Sequence, residues 1–118
     1  VVATPEPTSL TDAYATIKVL AGQQKRQTVR MVINQTARLG DGRAITLQLQ
    51  QVLDRFVVSE PGKSVRIIHM GDIPADPSVR QAIMRRQLLM QSMPGCPAAM
   101  AVTQVAIKLQ EALMPRGG

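Results

Sequence analysis

The stretch Val65-Arg-Ile-Ile-His-Met-Gly-Asp-Ile-Pro-Ala-Asp-Pro77 decides the fold. Its first half, residues 65–70, is an apolar run rich in β-branched side chains and predicts a buried strand. The polar residues 71–76 predict a loop. Asp76 and Pro77 then predict the start of a short helix, because aspartate is a favoured N-cap and proline fits the first helical position.

The same order occurs twice upstream. Residues 29–33 form a second β-branched run that ends at Asn34, and the turn-prone residues 40–42 lead into a helix. Residues 1–4 predict a short opening strand, followed by a proline-containing loop and a helix that ends at Gly22. Alternating strands and helices predict a parallel sheet with helices on its faces.

Each predicted helix has an apolar face. Thr8 or Ser9 is expected to cap the first helix, and Thr11 and Asp12 to lie in its first turn, where oxygen acceptors meet free backbone N–H groups. Helical spacing predicts that these residues of the later helices face inward: Ile45, Leu49, Val52, Leu53 and Phe56; Val79, Ala82 and Ile83; Val102, Val105, Ala106, Leu109, Ala112 and Leu113. We therefore predict an α/β fold, a partial doubly wound parallel sheet of about three strands in three α/β/α layers, within a larger domain.

The composition excludes several classes of protein. The chain has 118 residues, 45% of them hydrophobic, which suffices for one domain with a core. One cysteine, Cys96, excludes an internal disulfide and fits a reducing compartment, and with the one histidine, His69, it cannot form a structural zinc site. No apolar run approaches the ~20 residues that cross a bilayer, and the first residues read as strand and loop rather than as a secretory signal. We expect a cytoplasmic location and assign no metal ligand.

The charge is basic. Fourteen lysines and arginines against eight acidic residues give a formal net charge of +6, which allows contact with nucleic acid, anionic lipid or nucleotide phosphates. The basic residues are spread along the chain, and Tyr14 and Phe56 are its only aromatic residues, so the stacking platforms of single-strand binders are missing. We favour a solvated basic surface and predict no specific nucleic-acid partner.

Three polar segments follow the predicted strands, namely residues 4–12, 34–35 and 71–76. In open parallel sheets ligands bind beyond the carboxyl ends of the strands, so these segments are expected to meet at one edge. The sequence contains no G-x-x-x-x-G-K-[ST] motif and no Ser-His-Asp or Cys-His set in a recognisable context. We assign no catalytic residue and do not expect catalysis by this chain alone.

The run from Thr4 to Leu20, Thr-Pro-Glu-Pro-Thr-Ser-Leu-Thr-Asp-Ala-Tyr-Ala-Thr-Ile-Lys-Val-Leu, resembles the segment that follows the Walker B strand in the MinD/ParA family of deviant Walker A ATPases. Its nearest branch is the flagellar-number regulators FlhG, also called FleN or YlxH. Further stretches resemble the family in the same order: Val-Ile-Asn-Gln at 32–35, the helix at 42–56, Gly-Asp-Ile-Pro-Ala-Asp-Pro-Ser-Val-Arg-Gln-Ala at 71–82, and Pro-Gly-Cys-Pro-Ala at 94–98.

The resemblance implies that residues 1–118 correspond to the C-terminal part of a MinD-like ATPase domain with a P-loop NTPase-like fold, without the P-loop half. Such a parent protein binds ATP with Mg²⁺, dimerises, contacts the inner membrane peripherally and limits flagellar number. Its partners are the SRP-like GTPase FlhF or a flagellar transcription activator. Since the phosphate and magnesium sites belong to the other half, we expect this chain neither to hydrolyse ATP unaided nor to bind membranes on its own.

Family roles carry over to particular residues. Asn34 is expected to hydrogen-bond the purine edge, since an amide offers both donor and acceptor. Backbone around Ile73, Pro74 and Asp76 is expected to form the adenine-side wall. The alternatives are that Asn34 satisfies a turn and that Asp76 is a helix cap.

Glu6 and Asp12 are expected, by the same resemblance, to lie at the ATP-dependent dimer face, where the partner's signature lysine seeks a carboxylate. Their alternatives are a solvated loop charge for Glu6 and a helix-dipole interaction for Asp12. We expect His69 to alternate to the other face of the sheet and assign it no functional role.

Two other functions stay open. One is a division-site or chromosome-partitioning ATPase of the MinD or ParA type. The other is a non-catalytic module that docks on a protein, lipid or DNA through its basic surface. The run from Thr4 to Tyr14 favours the flagellar branch.

Overall fold

The computed structural model describes residues 1–23, 27–38, 40–56 and 65–114, and of Phe56 it describes the backbone alone. Strands and helices alternate over most of its length. The elements are β1 (Val2–Ala3), α1 (Pro7–Gly22), β2 (Thr28–Thr36), α2 (Asp41–Phe56), β3 (Arg66–Pro74), α3 (Pro77–Met84), α4 (Leu89–Ser92) and α5 (Pro97–Leu113). None of the helices in this part of the chain is both long enough and apolar enough to cross a bilayer.

The strands form one parallel sheet in the order β1-β2-β3. Val2 pairs with Val32, and Val29 pairs with Ile67, so all the described strands point the same way. The predicted α/β fold with a three-stranded parallel sheet flanked by helices is confirmed, and the carboxyl ends of the strands meet at one edge.

Both long strands extend beyond their predicted ends. β2 runs to Thr36 and β3 to Pro74, so the loops predicted at residues 34–35 and 71–76 are wrong for all but the last two positions. Two register irregularities in the β2–β3 ladder let pairing continue through the polar residues. Gln35 adopts a left-handed backbone with φ of 60° at one of them. Continued pairing satisfies backbone groups that a loop would leave to water.

Helices α1 and α2 cover one face of the sheet, where the largest cluster of buried side chains lies. The cluster comprises Ala3, Ala13, Ile17, Val29, Met31, Ile33, Leu49, Leu53, Val65 and Ile67. Helix α5 packs on β3 from the other face, with its Val105 against Gly71 and with Ala98 and Ala99 fully buried. The odd-numbered residues of β2 from 29 to 33 therefore mark the α1–α2 face, as strand alternation requires.

The first helix begins earlier than predicted. Pro7 is its first residue and Glu6 its N-cap, without a side-chain capping bond. Ser9 lies inside the first turn, and its Oγ accepts a hydrogen bond from the backbone N–H of Thr4 at 2.9 Å. The prediction of a Thr8 or Ser9 cap is therefore wrong, and Asp12 lies beyond the first turn. Proline at the first helical position fixes the start because its φ is already helical.

Several residues predicted to face inward are exposed. Ala82 of α3 is buried, but Ile83 is 70% exposed and Val79 36%. Val52 of α2 is also exposed, while Leu49 and Leu53 are buried as predicted. On the predicted apolar face of α5, Val102 and Val105 are half-buried. The later residues of that face are exposed: Ala106, Leu109, Ala112 and Leu113. Helical spacing identifies an apolar face but not the element that covers it, which explains the difference.

Helix α3 ends in a tight reversal around Arg86. The N–H of Arg86 donates to the carbonyl of Ile83 at 3.1 Å and that of Gln87 to the carbonyl of Ala82 at 2.9 Å, which is the pattern of a Schellman motif. Arg86 has φ of 52°, the left-handed conformation that usually falls to glycine at this position. An arginine there carries conformational strain.

Replacing Arg86 by glycine is expected to stabilise the fold by about 1 kcal/mol, because glycine adopts the left-handed conformation without a Cβ clash. Arg85→Gly is the matched control, since Arg85 loses the same charge but has φ of −86°. That control is expected to destabilise by about 0.5–1 kcal/mol. Urea unfolding of both variants measures the difference, and equal midpoints would contradict the strain at Arg86.

Candidate functional site

The carboxyl edge of the sheet brings the predicted base-binding residues close together. Asn34 pairs in register with Ile73, and Thr36 pairs with Pro74. The side chain of Asn34 is half-buried. Its Oδ1 accepts a hydrogen bond at 2.9 Å from the backbone N–H of Gln35, the residue with the left-handed backbone. Asn34 thus satisfies a backbone donor at the irregularity of β2, while its amide Nδ2 has no acceptor within the described residues and can donate to a ligand.

A cavity of about 280 Å³ opens at this edge. It is lined by Thr36, Ala37, Arg38, Asp72 and Pro74. Of the predicted base-binding residues, Pro74 lines the cavity, whereas Asn34, Ile73 and Asp76 are not in its wall. Arg38 and Asp72 were not predicted to bind a ligand: Arg38 lies outside the stretches that resemble the family, and Asp72 lies within the stretch 71–82 but was assigned no role.

Asp76 joins the N-termini of two helices. Its Oδ1 accepts the backbone N–H of Ser78 at 2.9 Å at the start of α3, and its Oδ2 accepts that of Ala98 at 3.0 Å in the first turn of α5. The prediction that Asp76 is the N-cap of α3 is therefore confirmed, and Asp76 also accepts a backbone N–H at the start of α5. The hydrogen bond from Ala98, followed by that from Ser78, lowers the pKa of Asp76 below its ordinary value of 3.8.

Replacing Asp76 by asparagine is expected to destabilise the fold near neutral pH, because an amide presents one acceptor to two backbone donors. A carboxyl whose pKa is lowered by folding contributes stability above its unfolded pKa and loses it as the pH falls through the folded value. The deficit of Asp76→Asn should thus shrink as the pH falls below 3.8.

Thermal unfolding of the two proteins between pH 7 and pH 2 measures this difference. Asp54→Asn serves as control, because Asp54 is an exposed carboxylate on α2 without backbone partners among the described residues. A deficit for Asp76→Asn that stays constant down to pH 2 would contradict the charge-assisted role of this carboxylate.

A second polar cluster lies beneath the cavity and comprises Gly42, Thr46, His69 and Asp72. Asp72 Oδ2 accepts the N–H of Gly42 at 3.1 Å, and Asp72 Oδ1 lies 2.8 Å from His69 Nε2. Thr46 Oγ1 donates to the carbonyl of Gly42 at 2.8 Å and lies 3.3 Å from His69 Nδ1. These contacts attach the first turn of α2 to β3.

The prediction that His69 alternates to the other face of the sheet is wrong, because His69 lies on the α2 face with Ile67. Its contact with Asp72 was not predicted, since residues three apart on a regular strand point to opposite faces. In the ladder between β2 and β3, however, Met31 pairs with His69 and Val32 pairs with Gly71, so Met70 is an extra residue in β3. This β-bulge brings His69 and Asp72 to the same face. The one signal in the sequence is Gly71, which suits a bulge and here has φ of 155°.

The close approach of α2 to Asp72 requires glycine at position 42. A Cβ built on Gly42 would overlap the Asp72 carboxylate. Gly42→Ala is therefore expected to displace that carboxylate and to destabilise the fold by about 1–2 kcal/mol, which is the loss of a partly buried charged hydrogen bond less the better helix propensity of alanine.

Gly95→Ala is the matched control for Gly42→Ala. Gly95 has open space within 4 Å of its Cβ position and no left-handed φ. Its replacement is expected to leave stability unchanged or to raise it by up to about 1 kcal/mol. Chemical denaturation measures both, and a neutral Gly42→Ala would show that the carboxylate moves away at no cost.

The two predicted dimer-face carboxylates lie near the start of α1, after the carboxyl end of β1. Both Glu6 and Asp12 are exposed, and no salt bridge to either is recorded within the described residues. Glu6 occupies the N-cap, whereas Asp12 is more than one turn further along α1. Nothing in the fold requires either charge. Among the described residues, no group of three or more His, Cys, Asp or Glu side chains could hold a metal ion.

Comparison with known proteins shows similarity to a curated protein. No protein-family model matches the chain. The chain is 34% identical over 110 residues to the antiactivator FleN of Pseudomonas aeruginosa, a match that includes 93% of this chain and 37% of FleN. The chain thus spans little more than a third of the relative's length. This similarity supports the resemblance of the chain to the FlhG (FleN) proteins.

Proposed function

We propose that this chain is the C-terminal, nucleotide-base-binding and dimerisation part of an FlhG-like regulator of flagellar number. The observation that carries the proposal is the similarity to FleN along nearly the whole chain. The parent protein would bind ATP with Mg²⁺ through its P-loop half, which this sequence lacks, so we propose no hydrolysis by these residues alone.

The cavity at the carboxyl edge supports base binding. Its volume of about 280 Å³ is just below the range of small-molecule sites, which begins at about 300 Å³, and it would suit one planar ring system. Pro74 offers an apolar surface to the face of a ring. Asn34 and the backbone of residues 73–76, at the carboxyl ends of β2 and β3, would offer donors and acceptors to its edge.

The dimer role rests on the family resemblance and on exposure. The carboxylates of Glu6 and Asp12 are exposed and form no salt bridge with other described residues. They could therefore bind a cationic side chain of a second copy. An exposed pair of this kind contributes little by itself, typically about 0–1 kcal/mol. The two charges would therefore select the orientation of a dimer that ATP drives together.

The name of the relative favours one partner. An antiactivator opposes an activator, which favours a flagellar transcription activator over FlhF as the partner of the parent protein. It also favours regulation over division-site placement or DNA partitioning. We propose a cytoplasmic parent with peripheral contact at the inner membrane.

A basic interaction module is the second candidate, and the net charge of +6 favours it. The two candidates differ in their response to charge. A base pocket binds neutral adenosine and ATP about equally, because the phosphate site is elsewhere. A basic surface instead binds ATP and duplex DNA in proportion to charge and loses affinity steeply with salt.

Titration of the full 118-residue chain with adenosine, followed by amide chemical shifts, tests the proposal. Adenosine is expected to shift resonances of residues 34–38 and 72–76. Because adenosine is neutral, its affinity is expected to stay constant when the salt concentration is raised about sixfold, from about 50 to about 300 mM. Asn34→Asp is expected to weaken binding about three- to tenfold, because the carboxylate loses the amide donor.

Gln35→Glu makes the same amide-to-carboxylate change at the adjacent, exposed residue and is expected to leave the affinity within about twofold. Cytidine serves as the ligand control. The proposal fails if adenosine causes no shifts at the carboxyl edge while duplex DNA binds tightly with a steep salt dependence.

A further inference from the structure

We propose that His69 is a positioning residue of the base cavity, which acts through Asp72 on the first turn of α2 and on the cavity wall. The inference rests on the proposed function and deepens it. It concerns a residue outside the cavity wall, in a contact that depends on the β-bulge of β3.

Asp72 has a polar neighbour at each of its two carboxylate oxygens. Its Oδ2 is occupied by the N–H of Gly42, while its Oδ1 is buried and accepts no well-aligned hydrogen bond within the described residues. The imidazole Nε2 of His69, 2.8 Å from Oδ1, is the polar group that offsets the burial of this oxygen. Removing the imidazole would take away the polar neighbour of this buried oxygen, and a buried acceptor without a polar neighbour is costly enough to drive the side chain out.

His69 lies between Asp72 and Thr46. Its ring is half-buried on the α2 face of the sheet, and Nδ1 faces Thr46 Oγ1 at 3.3 Å. Thr46 is buried and is held in turn by the carbonyl of Gly42. The imidazole therefore has neighbours on both nitrogens and cannot rotate without losing one of them.

Asp72 connects this cluster to the cavity. Asp72 is itself part of the cavity wall, beside Arg38. The N–H of Arg38 donates to Asp41 Oδ2 at 2.9 Å, and Asp41 is the first residue of α2, next to the Gly42 that Asp72 holds. A displaced Asp72 would thus move two sides of the wall, its own and that of residues 36–38.

Two variants of His69 in the full chain test the inference. His69→Leu removes both nitrogens and is expected to weaken adenosine binding about five- to tenfold. His69→Gln keeps an amide donor near the position of Nε2 and is expected to stay within about twofold of the unmodified chain. Hydrogen exchange of the Gly42 amide is the second readout, expected to accelerate about tenfold in His69→Leu and little in His69→Gln.

A core truncation separates positioning from stability. Ile17→Val shortens a fully buried side chain in the α1 part of the core, away from this cluster. It is expected to lower global stability without altering adenosine affinity. If His69→Leu behaved like Ile17→Val, the role of His69 would be structural and the inference would be overturned.

The outcomes distinguish this inference from the proposed function. Adenosine binding by the unmodified chain with equal affinity in His69→Leu overturns the role of His69 alone. Unchanged exchange at Gly42 in His69→Leu also overturns it, whether or not adenosine binds. A chain that does not bind adenosine, with exchange at Gly42 accelerated in His69→Leu, overturns the base-binding function and with it the role in the cavity.

Discussion

The structure depends on the parallel pairing of β2 with β3 and on the one extra residue that β3 carries within it. β2 is the middle strand and supplies Met31 and Ile33 to the centre of the core. Without the bulge at Met70, regular alternation would turn Asp72 to the α5 face. With it, Asp72 lies under the N-terminus of α2, and Gly71 lies against Val105 of α5.

The same constraint shapes the carboxyl edge. The strands continue through their polar ends, so Asn34, Ile73 and Pro74 are held by ladder pairing instead of by loops. Strand backbone is more rigid than a loop, and a binding wall built on it needs less ordering when a ligand arrives. Asp76 then fixes the starts of α3 and α5 just beyond the edge. The candidate site is therefore preorganised by pairing and capping.

The fold could be predicted from the sequence because its signals are local. The β-branched runs at residues 29–33 and 65–70 and the capping pair Asp76-Pro77 each report their own structure, and alternation of strand with helix implies parallel pairing. Those residues lie where predicted. The family resemblance likewise rests on short motifs in a fixed order, and similarity to FleN bears it out.

The remainder depends on contacts between distant residues. One extra residue in a strand leaves no periodic signal, so the contact of His69 with Asp72 could not be read from the sequence. Exposure of Ile83 and of the end of α5 depends on what packs there, which spacing does not report. Gly42 looked like a turn residue, and its close approach to Asp72 appears only when α2 is placed on the sheet.

The central claim is that a purine base binds between the carboxyl ends of β2 and β3. Intermolecular nuclear Overhauser effects between adenosine and the chain, labelled at methyl groups and proline, test it most directly. The account predicts contacts from the adenine ring protons to the Ala37 methyl group and the Pro74 ring, which line the cavity. Contacts to the exposed side chains of α5, or to Arg80, Arg85 and Arg86 with none at Pro74, would contradict it.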